Sequence, residues 1–365
     1  MNQARIEAQI GNYYMLKTTD FDYNLPKKFI AQNPVIPRDN SKLLVFDTAK
    51  NKIYHKRFFE IGEFLRKGDT LVVNASKVIP ARILFNENTS SREIFLLKKF
   101  GENKYQAMVK PGKVFKIGKE FVLDKNVKCV VKEILEDGTR IVEFLLEKTG
   151  KGFEKVLEEI GRIPFPPYVN ETIATPAQYQ TVYARENGSV AAPTAGLHFT
   201  PELMSKLKKE DGVTFEEVIL HVNRGTFMPV KSDNVEDHEM HSESFVLPEN
   251  VAKDLNISKK NGQRIIAIGT TSVRVLESCF DLKKGFVPQE SETKIFIYPG
   301  KYKWKATDAL ITNFHLPKST LLMLVSSFLE NKGIKDPAKK LLDLYELAKK
   351  ENYRFYSFGD AMMIF

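Results

Sequence analysis

Three of the six histidines stand where a strand ends or a helix is about to begin. His198 lies in "VAAPTAGLHFTPELM", His315 in "DALITNFHLPKSTLL", and His221 near the end of "TFEEVILHV". Imidazole ordinarily titrates near neutrality, which suits it to general acid–base work. A single loop histidine is more often structural, but the repeated placement predicts convergence on one cleft. Ligands of α/β sheets and barrels bind at the carboxyl ends of the strands, where these loops would lie. Around His198, the small residues Thr194 and Gly196 would let a ligand approach the backbone closely. Around His315, Asn313, Lys318 and Ser319 occupy the same strand-to-helix junction.

A second chemistry is legible in "RIIAIGTTSVRVLES". A strand, a glycine turn and three hydroxyl residues, Thr270, Thr271 and Ser272, open a helix there. Free backbone N–H groups and the helix dipole suit a carboxylate or phosphate, and Arg274 could add a forked contact one turn in. The plainer alternative is that Thr271 or Ser272 only caps the helix. In "EDHEMHSESF", His238 and His241 are three apart, short of the helical metalloprotease spacing and without a third ligand nearby, so no metal site is predicted. The chain has no Walker-type phosphate loop, no G-x-G-x-x-G and no G-x-S-x-G.

The elements that must position these residues follow from periodicity. "KLLVFD" (42–47) and "DTLVVN" (69–74) read as strands, with a short amphipathic helix around 58–66. From 76 to 150, short apolar or alternating runs such as "KVIPARILF" and "VKCVVKEIL" are separated by the turns "FGENK", "KPGK" and "EDG". Helical periodicity is nearly missing, which predicts an inserted all-β domain. A helix at 151–160 precedes a proline-dense loop, and Thr175-Pro176 signals another helix through about Arg185. Strands follow at 214–222, 264–269, 294–299 and 308–314. Helices start after Thr200, Thr271, Ser319 and Asp336. Thr200 suits the N-cap, Pro201 the first helical position and Glu202 the first turn. The alternation predicts an α/β layer or barrel over 15–75 and 151–365, interrupted by the insertion.

With 365 residues the chain is long enough for two domains, and its 42% hydrophobic, 28% charged composition is that of a globular protein. No apolar run approaches the ~20 residues that span a bilayer. The N-terminus lacks the apolar core of a signal peptide. Residues 1–14 form an N-terminal extension of open status, since Met15 could also initiate. Cys129 and Cys279 have no zinc or disulfide spacing and are expected to be reduced thiols in a cytoplasmic protein. The formal charge of +9 favours a polyanionic partner. "HKRFFE", "KYQAMVKPGK" and "YPGKYKWK" interleave basic and aromatic residues, a pattern that tracks phosphates and stacks on bases.

Seven segments together resemble one family. They are "FDYNLPKKFIAQNPVIPRDNSKLLV", "VYARENGSVAAPTAGLHFT", "LHVNRGTFMPV", "HEMHSESF", "IAIGTTSVRVLES", "ALITNFHLPKSTLLMLVSSF" and "YRFYSFGDAMMI". They are similar, collinearly from about Leu16 to Ile364, to the S-adenosylmethionine:tRNA ribosyltransferase-isomerases of queuosine biosynthesis. One departure is visible at Asn223 and Arg224, where small residues would be expected. The resemblance implies an α/β barrel with an inserted all-β barrel. It implies a consumed co-substrate, S-adenosylmethionine, and no separate cofactor or metal. The ribosyl part moves to the 7-aminomethyl-7-deazaguanine wobble base in the anticodon loop of a tRNA, giving epoxyqueuosine with loss of adenine and methionine.

On that resemblance, His198, His221 and His315 become unranked candidates for removing the C5′ proton, which the sulfonium acidifies, and for helping adenine leave. Thr270, Thr271, Ser272 and Arg274 would hold the methionine carboxylate or a tRNA phosphate, with Thr194, Gly196, Asn313 and Lys318 also binding substrate. Arg38 and Lys318 would meet phosphates. Lys110 and Lys113 of the insertion would add tRNA contacts. The expected state is a monomer with no membrane partner. Two rivals make different predictions: a non-catalytic RNA-binding protein would release no adenine, and an ordinary methyltransferase would release S-adenosylhomocysteine.

Overall fold

The apolar runs of the first and last thirds of the chain assemble into one nine-stranded sheet. The computed structural model describes residues 16–87, 89–147, 150, 152–223 and 230–365. In spatial order the strands are Gln289–Thr293, Glu243–Leu247, Thr214–Leu220, Thr70–Asn74, Ile265–Ile268, Ala309–Asn313, Ala361–Ile364, Lys42–Asp47 and Lys52–Arg57. The four strands from Thr214–Leu220 to Ala309–Asn313 run parallel to one another, and Glu243–Leu247 lies antiparallel beside them. The C-terminal strand lies antiparallel to Ala309–Asn313 and parallel to Lys42–Asp47.

Both faces of this sheet are covered, which is why its strands read as continuous apolar runs. Leu44, Phe46, Val72, Val218, Ala267 and Leu310 face one core. The helices Glu249–Lys260, Gly269–Cys279, Thr320–Asn331 and Pro337–Lys350 cover that side through residues such as Leu255, Val273, Leu322 and Leu341. The alternate residues Leu43, Val45, Leu71, Val73, Ile266 and Ile311 face a second core with Phe58, Phe199, Leu203 and Leu207. Burying each such side chain contributes roughly 1.5–3 kcal/mol. The architecture is therefore mixed α/β, as expected, but the sheet is open. Its outermost strands, Gln289–Thr293 and Lys52–Arg57, do not pair with each other among the described residues.

The strand-rich block forms a separate antiparallel sheet. Its order is Gly161–Arg162, Arg82–Glu87, Ser90–Lys99, Lys104–Lys110, Arg140–Leu146, Val127–Ile134 and Glu120–Asp124. Register shifts at Leu96/Lys98, Val122/Asp124 and Ile141/Val142 bend it. It curls until Phe85 meets Phe121, with ring centroids 5.7 Å apart, and Lys119 pairs with Glu87 at 2.8 Å. No backbone ladder joins those strands among the described residues, so the sheet is a half-barrel closed by side chains.

Three local expectations are corrected. Thr175-Pro176 opens only a 3-10 turn, Pro176–Tyr179, and not a helix to Arg185. Tyr179 is fully buried, and the Gln180 carboxamide bonds both Val78 N (3.0 Å) and Val78 O (2.7 Å), which holds the chain extended. The 58–66 segment is a 3-10 helix, Phe58–Phe64, rather than an α-helix. "KIFIYP" is not a strand: Ile295 N turns to the Thr293 hydroxyl at 3.1 Å, and Ile297 and Tyr298 pack into the main core. The Thr200, Ser319 and Asp336 caps are in place, each accepting from a backbone N–H of the first turn.

Candidate active site

Adjacent parallel strands end side by side, and their following loops enclose a cavity. Ile268 pairs with Ile311, so the chain leaves the sheet at Gly269 on one strand and, two residues beyond the last pair, after Asn313 on the next. Thr194 and Ala195 come from the first predicted loop, Gly269, Thr270 and Thr271 from the second, and Thr312 to Leu316 with Ser319 from the third. Gly269 makes the strand-to-helix turn with φ +86°, a conformation that a side chain would strain.

The helix Gly269–Cys279 begins without a side-chain cap, unlike Thr320–Asn331, whose start is capped by Ser319. Its first N–H groups therefore have no side-chain capping partner among the described residues, and the dipole favours an anion there. Thr271, 7% exposed, also lines the cavity, and its Oγ1 is buried without a hydrogen-bond partner among the described residues. The other two predicted members are turned elsewhere. Ser272 Oγ folds back to donate to Ile268 O at 2.9 Å. Arg274 is buried on the far side, paired with Glu243 and donating to Thr293 O at 3.3 Å. Burial lowers its pKa to about 10.

The three histidines separate into three environments. His315, 9% exposed, lines the cavity, with Nε2 2.8 Å from Thr312 Oγ1 and no hydrogen-bond partner seen for Nδ1 among the described residues. Its backbone is clamped by Tyr345 Oη, which accepts from its N–H at 3.0 Å, and by Tyr23 Oη, which donates to its carbonyl. Desolvation lowers its pKa to about 3, so the ring is neutral near pH 7.

His198 sits behind the cavity at 4% exposure, stacked on Phe58. Nδ1 is 2.8 Å from Ser41 Oγ and Nε2 is 3.2 Å from Asn313 Nδ2. Burial first, then Arg354 and Arg38, lowers its pKa to about 3. His221 does not join them. Val222 lines the cavity, while the His221 ring lies over Gly188, where a Cβ would come within 2.6 Å of it. Desolvation lowers its pKa, opposed by Glu186 and Glu290.

Of the other predicted residues, Asn313 and Thr194 line the cavity. Gly196 is packed under Tyr183, whose Oη would be 1.9 Å from a Cβ, so its small size serves packing. Lys318 lies outside, paired with Asp22 at 2.9 Å. Arg38 donates to Gln180 O at 2.8 Å. Lys110 and Lys113 are exposed on the second sheet and its turn. Asn223 bonds Glu243 and Ser242 O, whereas Arg224 and residues 1–14 lie outside the described residues. No group of three or more potential metal ligands occurs among the described residues. Both cysteines are buried thiols whose pKa burial raises to about 12.

Sequence reasoning missed the aromatic wall of the cavity. Tyr168 and Tyr356 line it with ring centroids 4.6 Å apart, and Tyr168 Oη meets Ser357 Oγ at 2.7 Å. These residues sit in irregular loops, and no periodicity marks them. Only the terminal segment "YRFYSFGDAMMI" hinted at Tyr356 and Ser357.

The family model described as queuosine biosynthesis protein matches residues 18–364. A protein of Acetivibrio thermocellus named S-adenosylmethionine:tRNA ribosyltransferase-isomerase is 49% identical over 353 residues, covering 96% of this chain and 100% of its own. One of the same name from Fusobacterium nucleatum is 47% identical, covering 95% and 96%. A crystal structure of S-adenosylmethionine tRNA ribosyltransferase from Thermotoga maritima aligns with a TM-score of 0.52 at 38% identity, covering 95% of this chain and all of that one.

Proposed function

The chain belongs to the queuosine biosynthesis protein family, and we propose from that premise that it is an S-adenosylmethionine:tRNA ribosyltransferase-isomerase. It moves the ribosyl unit of S-adenosylmethionine onto the 7-aminomethyl-7-deazaguanine wobble base of tRNA. Epoxyqueuosine-tRNA forms, and adenine and methionine leave. S-adenosylmethionine is a consumed co-substrate.

The observation that carries this reading is the cavity at the strand ends. It combines an uncapped helix start, the unpartnered Thr271 hydroxyl, a wall of Tyr168 and Tyr356, and His315. A carboxylate suits the helix start, and a purine suits the aromatic wall. His315 takes the C5′ proton. Burial keeps it in the neutral, proton-accepting form, and the sulfonium supplies the acidity of the carbon. Its free Nδ1 is the accepting atom, with Nε2 held by Thr312. His221 lies outside the cavity and takes no proton in this scheme.

The wobble base must be splayed out of the anticodon loop to enter such a site. The net charge of +9 supports a tRNA partner, with Lys110 and Lys113 as further backbone contacts. We place the catalytic part at 15–75 and 151–365, built on the nine-stranded sheet, and the inserted all-β part, with its half-barrel sheet, at 76–150. The working state is a cytoplasmic monomer; among the described residues no helix is long and apolar enough to cross a membrane.

Adenine release from S-adenosylmethionine with substrate tRNA tests the reading. His315→Gln should slow it by about 10²-fold or more, the usual contribution of a positioned base, while His221→Gln stays near wild type. Transfer of a methyl group, or no adenine release by the wild type, would sink the assignment.

A further inference from the structure

Asn313 is 2% exposed and lines the cavity, yet among the described residues its Oδ1 has no hydrogen-bond partner. The rest of the carboxamide is fully determined. Nδ2 donates to Tyr356 O at 3.2 Å, and a carbonyl oxygen can only accept, so the amide orientation is set. The second Nδ2 hydrogen then points to His198 Nε2 at 3.2 Å, which must accept it. His198 is therefore the neutral tautomer protonated at Nδ1, and it donates to Ser41 Oγ at 2.8 Å. Phe58, stacked at 5.0 Å, holds the ring in that plane. The chain Ser41–His198–Asn313 ends in one fixed, unfilled acceptor. Leaving a buried carbonyl unpaired costs roughly 1–3 kcal/mol, which a ligand donor would recover.

The neighbouring strand supplies the opposite need. Ile268 pairs with Ile311, and beyond that pair the helix Gly269–Cys279 opens on one side while Thr312 and Asn313 continue the other strand, so the helix start and Asn313 line the same cavity. There the helix start lacks a side-chain cap and Thr271 Oγ1 is unpartnered. An anion-seeking helix start beside a donor-seeking carbonyl matches a group whose negative and positive ends are joined through one carbon.

We propose that these two features form a zwitterion subsite for the methionyl end of S-adenosylmethionine. The helix start and Thr271 take the carboxylate, Asn313 Oδ1 takes the α-ammonium, and His198 is a positioning residue that holds the Asn313 amide. The proposal rests on the functional reading above, and it removes His198 from the acid–base set. A protonated His198 would set an N–H against the Asn313 amino group and break the chain.

Calorimetric titration of the full-length enzyme with methionine and with 4-(methylthio)butanoate, which lacks only the ammonium, tests the subsite directly. Methionine should bind about tenfold or more tightly, as expected for a hydrogen bond to a charged group. Asn313→Ala should abolish that preference. His198→Phe should reduce it and raise KM for S-adenosylmethionine more than it lowers kcat. His198→Gln, whose carbonyl can still accept from Asn313, should retain most of the preference. Equal binding of the two ligands by the wild type, or no binding of methionine, overturns the subsite whatever the variants do. Adenine release by the wild type is scored separately. Its presence with equal ligand binding defeats the subsite alone, and its loss defeats the functional reading.

Discussion

Lowering the pH from 7 to 5 should remove a definable share of the protein's stability through two histidines. His198 and His315 are buried, with pKa values lowered from 6.5 to about 3, mainly by desolvation. In the unfolded chain both titrate near ~6.5. Below that value, and down to about 3, the unfolded chain binds two protons that the folded chain refuses, so stability falls as the pH drops. Integrating the linkage relation from pH 7 to 5 gives about 2 kcal/mol per histidine, or about 4 kcal/mol for the pair. The result is insensitive to the folded value while that value stays well below 5. The loss is large against a typical total of about 5–15 kcal/mol.

His221 and His238, also lowered by burial, act in the same sense. Glu216, raised by burial, opposes them at the lower end. Asp47, where the hydrogen bonds and charge of Lys50 with the Ala49 N–H together outweigh desolvation, and Glu60, lowered first by the Arg57 N–H, lose their contribution mostly below this window. Those background terms cancel when variants are compared. Urea unfolding can be followed through Trp304, the single tryptophan, whose indole donates to Ser327 Oγ and packs on Phe328 in the main core. Measured at pH 7 and 5, His198→Gln and His315→Gln should each shed about 2 kcal/mol of the wild-type pH difference. If both variants keep the full difference, the argument that these imidazoles are buried neutral is wrong.

Gly196→Ala should destabilise the protein by about 1–3 kcal/mol, because the new methyl meets Tyr183 Oη at 1.9 Å. Tyr183→Phe, which removes an oxygen that is buried and unpartnered, should recover part of that loss in the double variant. Thermal melts of the three proteins decide it, and an unaltered Gly196→Ala melt would return the glycine to a ligand-contact role. Replacing Lys110 and Lys113 together by alanine should weaken tRNA binding and flatten the dependence of log K on log salt by about 1–2 units. A salt slope equal to the wild type's would remove both lysines from the tRNA surface.

Where a signal was local in the chain, the sequence carried it. Thr200-Pro201, Ser319 and Asp336 announce helix starts because capping depends on side chains beside the backbone they serve. Continuous apolar runs announced the central strands because both sheet faces are covered. Thr175-Pro176 gave the same local signal and failed, since burial of Tyr179 and the clamp of Gln180 on Val78 overrode it. Barrel closure was beyond sequence reasoning for a related reason: it depends on pairing between strands distant in the chain, which no window of residues contains.

The same distinction sorts the candidate site. Adjacency of the three loops was legible, because each follows a strand or precedes a helix. The direction of each side chain was not. Arg274 belongs to a helix buried nearly all round, so one turn of separation from the helix start did not tell which side it faced, and Glu243 on a distant strand captured it. Ser272 was drawn to the carbonyl four residues back, a bond open to any helical serine. His198 carries the sharpest lesson. Loop position and residue type made it resemble His315, but its chemistry was decided by partners more than a hundred residues away, Ser41 and Asn313. A histidine with both nitrogens engaged by neutral partners holds geometry, whereas one with a nitrogen left facing a cavity can move a proton. The tautomer forced by the Tyr356 carbonyl turns that difference from a matter of proximity into one of hydrogen-bond direction.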